Sequence, residues 1–211
     1  MNHDNVLKFV RKALEDSICL PKINSLSIQN CDNLPMEISY FLQNVIKQNI
    51  PCLYLSGLQN LLEIAYIDSA EILKIIPYVT KELSLISFLF ISKNLSNLIG
   101  KASLVETLSL LDCEWSDYYL YEQGRYLKFE LEKEEYKIKN LKLSLRCGYY
   151  SSNKNEHVWS QYETMILAIS LSSLKKSLEH LHIIDESHIS EDELKSFLSS
   201  IGLDQITPKI G

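Results

Sequence analysis

Six times along the chain an apolar residue is followed by two more at the third and fifth places after it, and this spacing constrains the fold more than any other feature. The units are numbered from the first apolar residue, and three of the six carry Asn or Cys at the ninth place. Ile23, Leu26, Ile28 and Cys31 form the first unit, and Ile50, Leu53 and Leu55 the second, with Leu58 ninth. Ile86, Leu89, Ile91 and Asn94 form the third, and Val105, Leu108, Leu110 and Cys113 the fourth. Ile138, Leu141 and Leu143 form the fifth, with Arg146 ninth, and Leu178, Leu181 and Ile183 the sixth, with Glu186 ninth. One such match describes any half-buried strand. Six in order describe a repeating unit.

Side chains alternate along a strand, so positions four and six of each unit face inward and positions three, five and seven face outward. Stacked units make a parallel sheet in which each repeat buries its apolar face only against its neighbours. The intervening segments read as helices. Pro35 opens one that places Ile38, Phe41, Leu42 and Val45 on a single face. Ser69 caps another that nears its end at Pro77. A long helix from Val158 carries Tyr162, Met165, Ile166 and Ile169 on one side. Ser190 and Glu193 form a capping box ahead of Leu194, Phe197 and Leu198. Asp4 to Asp16 is amphipathic through Val6, Phe9, Val10 and Leu14.

In these units the chain resembles the leucine-rich-repeat family, nearest its ribonuclease-inhibitor-like and cysteine-containing subtypes, over residues 18 to 200. The resemblance implies an α/β solenoid with a curved parallel sheet and outer helices. It implies one domain, residues 1–211: an N-terminal helical cap over 1–22, about six irregular repeats over 23–200 and a C-terminal tail over 201–211. The units begin 27, 36, 19, 33 and 40 residues apart, where a regular member steps by about 20 to 29. The long steps imply insertions. The 19-residue step leaves room for a turn of helix around Leu95 to Lys101. The span 114–137 alternates almost like strands and is expected to add a hairpin, around which Tyr118, Tyr119, Tyr121 and Tyr126 crowd as recognition or packing residues.

Composition narrows the partners. A net charge of −6 argues against broad attraction to nucleic acid or an anionic membrane. No run of about 18 uncharged apolar residues exists, so no membrane insertion is expected. Met1 to Ser17 carries six charged side chains and is no signal peptide, which points to cytoplasm or nucleus. The five cysteines, Cys19, Cys31, Cys52, Cys113 and Cys147, are odd in number and form no CxxC, so free thiols are the simpler account.

Catalytic signals are weak. His180 and His182 share a strand face near Asp185, Glu186 and His188, but no second ligand cluster would close a metal site. Cys31 and Cys113 occupy the ninth position, where a structural thiol is expected. Phosphate-binding glycine loops and a GxSxG elbow are missing, and Glu134 and Glu135 lie in a charged run. Neither enzyme activity nor a cofactor is expected.

The expected function is a non-catalytic protein-interaction module, an adaptor or a subunit of a larger complex, with one or more protein partners. Two alternatives remain. The stretch from Asn33 through Leu34 and Pro35 resembles the opening of an F-box, which implies a substrate-recognition subunit of a ubiquitin ligase. Some intracellular members of the repeat family activate GTPases through a rim Arg or Asn, which no residue here identifies. The expected contact surface is the concave face. Tyr54, Phe88 and Phe90 would form an aromatic patch there, unless the 114–137 insertion covers them, with Lys142, His180 and His182 further along. Ile201, Leu203 and Ile206 look too few to close the last repeat, so that end is expected to meet a partner or a second copy.

Overall fold

The computed structural model describes residues 24–29, 50–57, 65–66, 76–90, 92–115, 130–146, 154–184 and 189–211. Among these residues the fold is α/β, with one open sheet of nine strands and three helices. The strands are β1 (Ser25–Gln29), β2 (Cys52–Ser56), β3 (Ala65–Tyr66), β4 (Glu82–Ile86), β5 (Phe88–Phe90), β6 (Thr107–Trp115), β7 (Asn140–Arg146), β8 (His180–Ile183) and β9 (Thr207–Ile210). The helices are α1 (Ser92–Lys101), α2 (Lys154–Leu171) and α3 (Glu191–Ser200). Seven strands lie side by side in chain order, β1-β2-β4-β6-β7-β8-β9, and every pair is parallel.

One register is kept across these seven strands through two apolar rows, and β6 shifts against β7 only beyond Leu110. Leu26, Leu53, Leu83, Leu108, Leu141, Leu181 and Pro208 form one row. Ile28, Leu55, Leu85, Leu110, Leu143, Ile183 and Ile210 form the next. The residue opening each strand donates its backbone N–H to the carbonyl just before the preceding strand. Cys52 bonds Asn24, Glu82 bonds Pro51, Thr107 bonds Lys81, Asn140 bonds Glu106, His180 bonds Lys139 and Thr207 bonds Glu179, at 2.8–3.2 Å. A one-residue slip would turn every leucine outward, so burial of the two rows fixes the register. From Leu53 to Leu181 both rows are buried, and Leu26 and Ile28 at the β1 edge are half-buried. Full burial of one such side chain contributes about 1.5–3 kcal/mol.

Helices close the core from one side. Leu95, Leu98 and Ile99 of α1, Tyr162, Met165, Ile166 and Ile169 of α2, and Leu194 and Leu198 of α3 join the sheet residues in a single buried cluster. The α2 face is the one its apolar spacing indicates, and Tyr162 accepts the Leu145 N–H through its hydroxyl at 2.9 Å. The capping box of α3 is present, with Ser190 Oγ accepting from the Glu193 N–H and the Glu193 carboxylate accepting from the Ser190 N–H.

The third unit departs from expectation. The ladder strand is Glu82–Ile86, with Leu83 where the spacing had placed Leu89. Ser87, at φ 59°, turns the chain, and β5 then pairs with β3 and with the far half of β6, Leu89 opposite Glu114. With Leu83 in the row the ladder steps are 27, 30 and 25 residues up to Leu108, and the 19-residue step disappears. That leaves room for the ten residues of α1 instead of a single turn.

The C-terminal segment differs as well. The expected tail carries β9, which pairs with β8 and gives the ladder a seventh rung. Leu203 and Ile206 are buried, Ile201 is half-buried and α3 packs on β9, so the chain itself covers two of the three apolar residues thought to need a partner. Pro208 sits at an inward position. Thr207 and Gly211 direct their N–H groups at β8, so the place of Pro208 in the alternation faces the open side and its missing N–H costs no ladder bond. Of the 114–137 span, β6 reaches Trp115 and residues 130–137 form no strand. The expected cap helix at Asp4–Asp16, the helix from Pro35 and the tyrosines at 118–126 lie outside the described residues.

Candidate functional site

The outward face of the seven-strand ladder is assembled by the same register that buries the leucines. Position three holds Ser25, Cys52, Glu82, Thr107, Asn140, His180 and Thr207 in order. Position five holds Ser27, Tyr54, Ser84, Ser109, Lys142, His182 and Lys209. Both rows are polar or small apart from Tyr54, and the middle of the position-five row is closed in, with Ser84 3% and Ser109 2% exposed.

Three side-chain contacts organise these rows. Tyr54 donates its hydroxyl to Glu82 Oε2 at 2.9 Å. That bond, with burial and the nearby negative charge adding to it, pushes the phenol up to about 12. Asn140 Nδ2 donates to Thr107 Oγ1 at 3.3 Å. His182 Nε2 lies 2.6 Å from the Gly211 carbonyl, which can only accept.

Of the six residues expected to meet a partner, four lie on this face: Tyr54, Lys142, His180 and His182. The structure removes Phe88 and Phe90. They are 1% and 2% exposed, their rings 6.4 Å apart and tilted by 40° within the core. The aromatic patch with Tyr54 therefore does not form. Glu82 and Ser84 fill the places given to the two phenylalanines. Glu82, Thr207 and Lys209 were missed, for Glu82 shared the displaced third unit and the other two lay in the supposed tail.

The strands β7, β8 and β9 border a shallow depression of ≈ 290 Å³, with Lys142, His180, His182 and Lys209 around it and Glu191 of α3 at its rim. Among the described residues no three His, Cys, Asp or Glu side chains are grouped to hold a metal ion. Asp185, Glu186 and His188 fall outside those residues.

Cys113 takes the place given to a structural thiol. It is buried, and its Sγ lies 3.3 Å from Leu111 O and 3.6 Å from Leu85 O of the neighbouring strand. Burial pushes the thiol up to about 12, which suppresses the thiolate a nucleophile needs. Among the described residues no helix is long and apolar enough to cross a membrane. The F-box-like stretch at Leu34 and Pro35 lies outside them. Comparisons of the chain with protein-family models, with curated proteins and with solved structures give no match, so the reading of this face rests on its own geometry.

Proposed function

We propose that the chain is a leucine-rich-repeat-type array acting as a non-catalytic protein-recognition module, an adaptor or a subunit of a larger assembly. The observation that carries this reading is the separation of roles along one register. The same interstrand hydrogen bond recurs from Cys52 to Thr207, two apolar rows supply the sheet's share of the core, and the rows between them carry mostly polar side chains in fixed order. A surface built this way offers a wide face that can vary without disturbing packing. The contact residues are Tyr54, Lys142, His180 and His182, joined by Lys209.

Affinity capture from the native source tests this, comparing the intact chain with a Tyr54→Ala, His180→Ala variant. A stoichiometric protein partner held by the first and lost by the second, while the variant remains folded by circular dichroism, is the expected result. Equal capture by both rejects the face, and the absence of any stoichiometric partner rejects the function.

A further inference from the structure

In the position-five row Lys142 stands in register with His182, and His182 with Lys209. Neighbouring strands are about 4.8 Å apart, so three basic side chains line up across roughly 10 Å of sheet. Among the described residues Lys139 pairs with Glu179 at 3.2 Å, just before the rows begin, while neither Lys142 nor Lys209 has an acidic partner. The depression they border has one acidic neighbour, Glu191.

We infer that this row docks an acidic segment of a partner protein, whose Asp and Glu carboxylates pair with Lys142 and Lys209 on either side of His182. His182, between the two lysines in register, is held by its contact with the Gly211 backbone oxygen. Lysine ammonium groups ride on flexible four-carbon stems. They can meet carboxylates at alternate positions of an extended segment, about 6.8 Å apart. A nucleic acid suits the site less well. Duplex DNA carries a charge for every ~1.7 Å of axis, a density that a row of two lysines and a histidine does not match. The inference rests on the recognition reading above and names the chemistry of the partner.

Fluorescence anisotropy on the intact chain tests it, using a labelled synthetic peptide that alternates Glu with Ser and a counterpart with Gln in place of Glu. The acidic peptide binds at least about tenfold more tightly than the Gln peptide, and Lys142→Glu with Lys209→Glu weakens it by about tenfold. Glu191→Gln strengthens it by removing the acidic rim. Equal affinity for the two peptides, or no effect of reversing both lysines, overturns the inference. So does tighter binding of a single-stranded oligonucleotide through the same lysines. If the double reversal does not fold, Lys142→Gln with Lys209→Gln and a salt titration of the unaltered chain decide: affinity that falls with salt supports the site, and affinity indifferent to salt overturns it. A native partner lost with Tyr54→Ala, His180→Ala but indifferent to both lysines overturns this inference and leaves the recognition reading intact. Absence of a native partner overturns both, and acidic-peptide binding then shows only that the lysine row accepts carboxylates.

Discussion

Ser87 Oγ donates to Asp112 Oδ2 across 2.9 Å, joining the bend between β4 and β5 to β6 one place beyond the Ile86–Leu111 pair, and the two residues share a left-handed backbone, with φ of 59° and 55°. The Ser87 N–H also donates to Leu111 O at 2.9 Å. Together they mark where the long ladder ends and the chain bends into the shorter pairing of β5 with β6. A branched residue is a poor occupant of such a backbone. Ser87→Val is expected to lower stability by about 1–3 kcal/mol, from strain and the lost hydrogen bond. Ser87→Gly is expected to be near neutral, because relief of the backbone offsets the lost bond. Urea denaturation of the two variants checks the contrast, and equal losses would show that the backbone at 87 carries no strain.

Leu83 and the Phe88–Phe90 pair allow a test of the register. All three are buried. Leu83→Ala is expected to cost about 2–5 kcal/mol, and Phe88→Ala about 3–5 kcal/mol. Thermal melting of each should show a clear drop. A Phe88→Ala variant that melts like the unaltered chain would return that ring to the surface.

Tyr54 gives a prediction in pH. Its phenol is raised from 10 to about 12 in the fold, mainly by the hydrogen bond to Glu82. The folded state therefore holds the proton more tightly than the unfolded state. The resulting stability is fully present below pH 10 and is lost as pH rises towards 12. Tyr54→Phe should remove that component of the alkaline loss, leaving a shallower decline across this window. An identical alkaline profile for both proteins would show that the Glu82 contact has no energetic weight.

Cys113 should resist thiol reagents in the native state, because its sulfur is buried and protonated. Labelling followed by peptide mapping should show modification only after denaturant is added. Rapid native labelling at this residue would reopen a reactive role.

Helix α3 depends on its cap. Ser190→Ala should cost about 1 kcal/mol, the usual value of an N-cap side chain, and should loosen α3 over β9. Hydrogen exchange along Glu191–Ser200 would register the change, and unaltered protection there would show that packing of Leu194 and Leu198 alone holds the helix.

Much of the ladder is legible in the sequence because an alternating apolar pattern has one stable solution when one face is buried. Leu53, Leu108, Leu141 and Leu181 take the places that spacing assigns them, and the Ser190–Glu193 cap forms as read. The third unit is not legible, because ELSLI and SFLFI alternate equally well and adjoin across Ser87. The choice is made by a left-handed residue that is neither Gly nor Asn, the types that usually announce such a turn. Phe88 and Phe90 entered the candidate site through that displacement alone. The last strand is hidden by Pro208, an unfavourable residue in a strand interior that an edge tolerates.

Pro208 has a consequence for how the sheet meets its own kind. Among the described residues no strand lies on the side of β9 away from β8, where a row of backbone groups could template another strand, the usual route by which exposed parallel edges seed aggregates. Any strand laid there finds no N–H at 208, and beside it the charged side chain of Lys209. The edge thus carries a built-in stop against self-propagation, placed where it leaves the pairing with β8 untouched.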